Sequence, residues 1–419
     1  MELTHNHTEE RAVLVGLNAD CFKAEETATE SSLEELEALL ETAGGFCTAK
    51  ILQNRHAPEA RTFIGQGKAE EIRMLIEATQ SNMAVFDNPL SPSQIRVLEE
   101  TLGVTVLDRS ALILDIFAQR ARTAEGRLQV ELAQYQYLLP RLSGMGLSLS
   151  RQGGGIGTRG PGETQLETDR RHIRSRIAKL EEELEQVRQT RAVQRRQRSK
   201  NSVPVVALVG YTNAGKSTLL NQLTGAGIPA NNRLFDTLDT TSRMLTVNDT
   251  LDVVLSDTVG FIAKLPHHLV DAFRATLEEL EYADLLIHVI DSSDPEREHH
   301  IAVVNRLVEQ LAKPGIPVIS CYNKADLVSP EDIPVGQNVV AVSASKGIGM
   351  DQLLETVAQC LAKGQHRGKF LVPYSKGGLL DKLHQEGKVL ATEYTAEGIL
   401  AEAICGPVLF GQMKDYLQE

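Results

Sequence analysis

A glycine-rich octapeptide that follows an apolar run constrains this chain more than any other feature. Residues 205–209 read as one buried strand, and the next eight residues, Gly210-Tyr-Thr-Asn-Ala-Gly-Lys-Ser217, fit the phosphate-loop pattern G-x-x-x-x-G-K-S. Glycines in this pattern let backbone N–H groups turn toward an anion, and the N-terminus of the following helix adds its dipole. The sequence therefore predicts a strand, a phosphate-binding loop and a helix in direct succession.

Two side chains of this loop have chemical roles of their own. Lys216 is expected to reach the β- and γ-phosphates of a nucleotide and is a candidate catalytic residue. Ser217 is expected to supply an oxygen to Mg²⁺. The candidate nucleotide-binding residues of this segment are Gly210, Tyr211, Thr212, Asn213, Ala214, Gly215, Lys216, Ser217 and Thr218.

A second motif predicts which base the site prefers. Residues 319–322 read as a strand that ends in Asn323-Lys-Ala-Asp326. The two oxygens of a carboxylate can accept both the N1–H and the exocyclic amine of guanine, whereas adenine offers no such pair of donors. We therefore expect Asp326 to select guanine, Lys324 to lie over the base and Asn323 to tie the loop together. The candidate base-binding residues are Asn323, Lys324, Ala325, Asp326, Ser343, Ala344 and Ser345.

Two further segments are expected to meet the γ-phosphate and the metal. Asp257-Thr-Val-Gly260 closes an apolar strand, so that Asp257 can hold Mg²⁺ through water and the Gly260 N–H can meet the γ-phosphate. Between this motif and the phosphate loop, Thr237 is the candidate for a second metal-binding hydroxyl, although Thr240 and Thr241 leave that role open. Thr237 and Gly260 complete the candidate catalytic set. The remaining candidate nucleotide-binding residues are Phe235, Asp236, Thr237, Leu238, Asp239, Asp257, Thr258, Val259 and Gly260.

The residue after Gly260 is informative for what it lacks. Ras-like enzymes place a glutamine there that orients the attacking water, and Phe261 has no group that can do so. We therefore expect slow unassisted hydrolysis of a bound nucleoside triphosphate. Asn213 is similar to the asparagine that binds K⁺ in some GTPases with a hydrophobic residue at this position. It can equally be a loop asparagine that shapes the turn.

The rest of the chain suggests three domains around the nucleotide-binding one. Residues 1–122 alternate strands and helices, which predicts a small α/β domain with a largely parallel sheet, and residues 65–68 read as a turn that opens a helix. Residues 123–202 predict a helical hairpin with a glycine-rich loop and a second helix from Glu163. Apolar residues share one face of the first helix (Leu128, Leu132, Tyr135 and Leu139) and form a coiled-coil-like seam on the second (Leu166, Ile173, Ile177, Leu180, Leu184 and Val187). Residues 203–365 predict the P-loop domain, with a doubly wound, mostly parallel sheet. Residues 366–419 predict a small α+β module.

Composition limits where such a protein acts. No apolar stretch reaches the length of a membrane span, and the first ten residues have no apolar core of a signal peptide. We therefore expect a cytoplasmic monomer, with peripheral attachment as the only membrane association left open.

The net charge of −13 argues against a protein that covers nucleic acid with its whole surface. Residues 186–235 nevertheless contain no Asp or Glu, and their basic residues cluster early in that span.

Three segments together resemble the HflX family of ribosome-associated GTPases over almost the whole chain. They are Gly153-Gly-Gly-Ile-Gly-Thr-Arg-Gly-Pro-Gly-Glu-Thr-Gln-Leu-Glu167, the phosphate loop through Thr218, and Phe261-Ile262 with Leu265-Pro-His267. The family pattern of the switch loop is close to F-A-T-L-D-P-T. This chain departs from it at Asp236 and Thr240, while Thr237 stays aligned.

The resemblance implies a GTPase that converts GTP to GDP, binds the large ribosomal subunit with its N-terminal region at the RNA, and separates stalled or idle ribosomes. The residues themselves support only part of this. A glycine loop flanked by Arg151, Arg159, Arg170 and Arg171 could follow an RNA backbone, or could be an ordinary flexible connector beside a solvated basic helix. Two other readings stay open: a GTPase that acts on RNA modification or another complex, and a GTP-dependent binding switch with little hydrolysis.

Overall fold

The structure is a computed structural model that describes residues 9–23, 26–142, 161–199, 203–225, 227, 234–235, 241–247, 251–265, 280–362, 366–405 and 407–418. The chain forms two compact units. The first unit comprises Met1–Glu185, Asn231–Asp239 and Ile262–Arg274. The second unit comprises Gln186–Ala230, Thr240–Phe261 and Ala275–Glu419.

A four-stranded parallel sheet forms the centre of the first unit. Its strands are β1 (Arg11–Ala19), β2 (Phe46–Arg55), β3 (Met83–Phe86) and β4 (Thr105–Asp108), in the order β2-β1-β3-β4. All three strand pairs are parallel, which confirms the prediction of a largely parallel α/β sheet. The central strands β1 and β3 are buried almost throughout because helices cover a parallel sheet on both faces.

Four helices connect and follow these strands: α1 (Glu30–Ala43), α2 (Gln66–Thr79), α3 (Pro92–Leu102) and α4 (Arg109–Arg120). Each begins where its sequence offers a suitable cap. Thr29 and Ser91 form capping boxes before α1 and α3, and the Asp108 side chain caps α4. Gly65 precedes α2, so the segment 65–68 is the helix-opening turn that its sequence predicts.

Two long helices pack along an apolar seam whose residues belong to the first unit. These are α5 (Ala124–Arg141) and α6 (Pro161–Ser199). Three predicted seam residues are buried against one another, and three more pack around them: Leu132, Leu180 and Leu184, with Leu128, Tyr135 and Ile177. Helix α6 begins at Pro161, two residues before the predicted Glu163. Proline is favoured at the first position of a helix, because the N–H that it lacks would have no partner within the helix there. The glycine-rich run 153–160 lies outside the described residues.

The second unit contains the predicted doubly wound sheet. Its strands are β5 (Val205–Gly210), β6 (Thr241–Val247), β7 (Leu251–Asp257), β8 (Leu285–Asp291), β9 (Val318–Asn323) and β10 (Val339–Ala341). Their order is β10-β9-β8-β5-β7-β6, and only β6 runs antiparallel to its neighbour. The described helices α7 (Lys216–Thr224), α8 (Arg297–Leu311) and α9 (Met350–Ala362) accompany them. The predicted fold class is therefore confirmed.

The last segment of the chain is an antiparallel sheet with two helices. Strands β11 (His366–Val372), β12 (Gly387–Tyr394), β13 (Ile399–Cys405) and β14 (Leu417–Gln418) pair in the order β12-β13-β11-β14. Helices α10 (Gly377–Glu386) and α11 (Pro407–Met413) complete this predicted α+β arrangement. Among the helices that the structure describes, none is both long and apolar enough to cross a membrane.

Candidate functional site

The phosphate loop joins the carboxyl end of β5 to the first residue of α7, as its sequence predicts. Two of its glycines occupy places where a side chain does not fit. A Cβ on Gly210 would lie 2.3 Å from the carbonyl oxygen of Val289. Gly215 has a left-handed φ of 94°, and a Cβ there would lie 2.2 Å from Nδ2 of Asn323. The loop therefore owes its tight path to these two positions.

Lys216 lies inside this loop with its ammonium group buried. Its Nζ donates hydrogen bonds to the carbonyl oxygens of Gly210, at 3.1 Å, and Tyr211, at 2.8 Å. Burial lowers the pKa of Lys216 to about 8, against the attraction of Asp257. The ammonium of Lys216 is thus held only by neutral carbonyl oxygens. An anionic group would form stronger hydrogen bonds with it.

The two predicted metal-binding side chains that the structure describes lie in contact. The Ser217 hydroxyl donates to Oδ2 of Asp257 at 2.8 Å, at the carboxyl end of β7. Asp257 is fully buried. A hydroxyl and a carboxylate are hard oxygen donors of the kind that Mg²⁺ prefers, so this pair fits the predicted ion. The third candidate, Thr237, lies outside the described residues together with Asp236, Leu238 and Asp239.

Asn323 connects the phosphate loop to the two predicted base-binding segments. Its Nδ2 donates to the carbonyl oxygen of Ala214 at 2.8 Å, and its Oδ1 accepts from the backbone N–H of Ala344 at 3.0 Å. Both bonds are buried. The structure therefore brings three motifs together that are separated by up to 130 positions in the sequence, in the way expected of Asn323.

Asp326 and Lys324 have charged partners that the sequence motif does not reveal. Lys324 lies in the left-handed region, and its Nζ pairs with Oδ2 of Asp291 at 2.6 Å. Asp326 pairs with Lys346 at 3.0 Å. A hydrogen bond from Ser343, followed by the bond to Lys346, holds the pKa of Asp326 below its ordinary value. The carboxylate that is expected to read guanine is therefore ionised at neutral pH.

Gly260 lies beside both Lys216 and Thr212. A Cβ on Gly260 would lie 2.9 Å from Cγ2 of Thr212 and 3.1 Å from Nζ of Lys216. The next residue, Phe261, donates its N–H to the Gly210 carbonyl at 3.1 Å and accepts from the Thr212 N–H at 2.7 Å. Its ring is buried. The segment after β7 thus runs along the phosphate loop and places Gly260 beside Lys216.

Sequence reasoning missed the support that α8 gives to the phosphate loop. The ring of Tyr211 stacks on the ring of His300, with centroids 3.6 Å apart, and Nδ1 of His300 pairs with Asp294 at 3.0 Å. His288, on β8 behind the loop, is buried, which lowers its pKa to about 4, and the positive charge of Lys216 acts in the same direction. A Tyr-His contact across 89 positions leaves no local pattern that could have predicted it.

Phe235 is the only residue of the predicted 235–239 segment that the structure describes. It belongs to the first unit, is 3% exposed and has a φ of 56°. Its ring packs edge-on against Phe117 of α4, with centroids 4.7 Å apart.

Comparison with known proteins identifies the family. Three family models match the chain: "GTP-binding GTPase N-terminal" at residues 30–118, "GTP-binding GTPase Middle Region" at 120–198, and "50S ribosome-binding GTPase" at 205–324. The protein named GTPase HflX from Caldanaerobacter subterraneus subsp. tengcongensis is 48% identical over 395 residues, which cover 94% of this chain and 90% of that protein. The chain belongs to the HflX family of GTPases.

A second relative supports the HflX assignment. GTPase HflX of Escherichia coli is 45% identical over 359 residues, covering 84% of each chain. These two HflX relatives confirm the family resemblance noted from the three sequence segments. A solved GTP-binding protein from the archaeon Sulfolobus solfataricus, in complex with GDP, is 26% identical with a TM-score of 0.44 and covers 84% of this chain and 99% of its own.

Proposed function

We propose that this chain binds GTP with Mg²⁺ at the site described above, hydrolyses it to GDP and phosphate, and in its GTP state binds the large ribosomal subunit to split or rescue stalled or idle ribosomes. The observation that carries the proposal is the pair of buried hydrogen bonds made by Asn323. They join a phosphate loop to an Asn-Lys-x-Asp segment in one site.

Each side of the site then has a defined task. Asp326 accepts two hydrogen bonds from guanine, since Ser343 and Lys346 keep it ionised. Lys216 exchanges its two carbonyl acceptors for phosphate oxygens, which are stronger partners for a buried ammonium. Gly260 offers its backbone N–H to the γ-phosphate from its place beside Lys216.

Ser217, Asp257 and Thr237 would hold Mg²⁺, with Asp257 acting through water. When bound, the ion neutralises charge on the β- and γ-phosphates. Ser217 and Asp257 already share a hydrogen bond of 2.8 Å, so both side chains lie where one ion could be held, directly by Ser217 and through water by Asp257.

Among the described residues of the site, none has been assigned to orient the attacking water. Phe261 has no hydrogen-bonding side chain, and its ring is buried. Hydrolysis by the isolated chain is therefore slow, and the large subunit accelerates it by ordering the loops around Thr237 and Gly260. K⁺ bound at Asn213, which has a left-handed φ of 61°, is an internal alternative.

Two observations support the ribosome as the partner. The family model that matches residues 205–324 is described as a 50S ribosome-binding GTPase. Helix α6 presents basic side chains to solvent, including Arg171 and Arg174, in a chain whose net charge is −13. A local basic surface of this kind suits contact with RNA phosphates.

Co-sedimentation tests the partner directly. The chain is mixed with purified large subunits and either a non-hydrolysable GTP analogue, GDP or no nucleotide. We expect the chain to pellet with the subunits mainly with the analogue. Equal pelleting in all three conditions, or none, would contradict the ribosome proposal and favour a GTPase that acts on another complex. Absence of turnover with and without subunits would instead favour a GTP-dependent binding switch.

A further inference from the structure

The chain at the end of β8 contacts the Asn-Lys-x-Asp segment at two points. We call residues 291–294, Asp291-Ser-Ser-Asp294, the β8 loop. Strands β8 and β9 pair in parallel, and their register places Asp291 beside Asn323. The Ser292 N–H donates to the carbonyl oxygen of Asn323 at 2.9 Å, and Oδ2 of Asp291 pairs with Nζ of Lys324 at 2.6 Å. The first contact fixes the backbone just before Lys324, and the second fixes the end of its side chain.

The carboxylate of Asp291 is itself held within the β8 loop. Its Oδ1 accepts from the backbone N–H of Ser293 at 3.0 Å and from the Ser293 hydroxyl at 2.6 Å. Oδ2 is the oxygen that meets the ammonium of Lys324. The side chain of Asp291 is 18% exposed and that of Lys324 28%, so water and salt screen this pair less than a pair on the open surface.

The other end of the β8 loop is anchored beside helix α8. Asp294 pairs with Nδ1 of His300 at 3.0 Å, and its Oδ1 accepts from the backbone N–H of Glu296 at 2.8 Å. The hydrogen bond from His300 keeps the pKa of Asp294 below its ordinary value. Asp291 therefore belongs to a loop that is held at both ends.

Lys324 has a backbone conformation that few residues other than glycine adopt. Its φ of 57° and ψ of 30° lie in the left-handed region, which persists where neighbouring contacts determine it. The next residue, Ala325, donates its N–H to the carbonyl oxygen of Val342 at 3.0 Å, and Leu327 donates to that of Lys324 at 3.0 Å. The aliphatic part of Lys324 is thus held at both ends, by its own backbone and by Asp291.

A lysine side chain that is held at both ends binds a flat ligand at a lower entropic cost. A lysine without such contacts has many rotamers, and immobilising it on binding lowers the affinity. The sequence motif predicts that Lys324 lies over the base of the nucleotide. With Asp291 in place, most of the ordering of this side chain precedes the arrival of the base.

We propose that Asp291 is a positioning residue for base recognition, which fixes Lys324 in place to lie over the guanine ring. The inference rests on the proposed function, because it deepens base binding at the same site. A contact with the ring is common to guanine and hypoxanthine and does not involve the phosphates. Loss of Asp291 should therefore weaken binding of GTP, GDP and inosine diphosphate by one common factor.

Asp291→Asn is the central variant. Its amide oxygen can still accept from Ser293, while its NH₂ group faces the ammonium of Lys324, so only the ion pair is lost. Asp291→Glu keeps the charge, and Lys324→Met removes the other partner. Asp284→Asn is the matched control, because it makes the same chemical change just before β8, where the carboxylate accepts from the Val205 N–H at 2.9 Å.

Affinities for GDP, a non-hydrolysable GTP analogue and inosine diphosphate are measured by calorimetry on the full-length parent, each single variant and the double variant Asp291→Asn/Lys324→Met. Thermal melting verifies the fold of each. We expect Asp291→Asn to weaken all three ligands about fivefold, the scale of one partly exposed ion pair, and Asp284→Asn to stay within about twofold of the parent. Asp291→Glu should bind GDP more tightly than Asp291→Asn.

The double variant separates positioning from a general structural role. Because Asp291 acts through Lys324, the double variant should bind GDP within about twofold of Lys324→Met, since the second change has nothing left to remove. A purely structural role predicts losses that multiply. This comparison of nucleotide affinities holds even where both single variants melt at a lower temperature than the parent.

Four results would overturn the proposal: parental affinity in Asp291→Asn, multiplied losses in the double variant, a loss for guanine nucleotides without the same loss for inosine diphosphate, or tighter binding. The last would mean that Asp291 holds Lys324 away from the base. Asp291→Glu no better than Asp291→Asn would show that the charge is not what matters. A parent chain that binds no nucleotide would instead refute the proposed function, so the two failures are distinguishable.

Discussion

Asn323 shows how much of this site depends on single side chains. Its amide is both donor and acceptor, and each half bonds to the backbone of a different loop. An aspartate could not donate to Ala214, and a leucine could do neither. Because both bonds are buried, loss of either would leave a backbone group unsatisfied, at a cost of roughly 1–3 kcal/mol.

Asp326→Asn tests the choice of base. The amide can no longer accept two hydrogen bonds from the N1–H and the exocyclic amine of guanine, so GTP affinity should fall at least tenfold and preference should shift toward xanthosine triphosphate. Competition binding with the two nucleotides measures this shift. Parental GTP affinity in the variant would mean that another residue reads the base.

Lys216→Ala tests the phosphate loop. Removal of the buried ammonium takes away the side-chain cation expected at the β- and γ-phosphates, so nucleotide binding or turnover should fall by at least tenfold while the fold persists. Binding and turnover assays, with a thermal melt as the folding control, measure both effects. GTPase activity near the parental rate would place the phosphate site elsewhere.

At the scale of elements, the site depends on how closely the loops after β5 and β9 approach each other. Gly215 marks the contact, since no atom larger than hydrogen fits between its Cα and the Asn323 amide. The glycine after α7, Gly225, also has a left-handed φ, of 66°, but nothing lies within 4 Å of a Cβ built there. A side chain at either position would strain the backbone, but only a side chain at Gly215 would also collide with a neighbour.

Gly215→Ala and Gly225→Ala form a matched pair. Both variants should lose about 1 kcal/mol of stability from a strained φ. Only Gly215→Ala should also displace Asn323, and its nucleotide affinity should therefore fall at least tenfold beyond any loss in Gly225→Ala. Calorimetric binding and thermal melting separate the two effects. Equal affinities in the two variants would contradict the role given to this contact.

Across the whole molecule, the features that the sequence predicts are those that depend on residues close together in the chain. The phosphate loop, the Asn-Lys-x-Asp segment and the seam of Leu132, Leu180 and Leu184 each follow from short-range patterns. The start of α6 was predicted two residues late, because polar residues fill most of its 39 positions and its apolar seam is narrow.

Long-range partners of charged residues could not be predicted in this way. Lys264 pairs with Asp87 across 177 positions, and Lys324 pairs with Asp291 across 33. Nothing in the neighbourhood of either lysine identifies its carboxylate, because ion pairs depend on topology and not on spacing. The role of Thr237 and the bounds of the four predicted domains stay predictions.

GTP turnover tests the central claim most directly, because it joins the site to the proposed partner. The rate is measured in K⁺ or in Na⁺, each with and without large ribosomal subunits. The account predicts slow hydrolysis by the chain alone and strong stimulation by the subunits, since catalytic groups or ordering supplied in trans can be worth about 10³ to 10⁵ in rate. Stimulation by K⁺ over Na⁺ without subunits would assign part of the effect to Asn213. Fast hydrolysis in Na⁺ alone, unchanged by subunits, would contradict both the account of Phe261 and the proposed role of the ribosome.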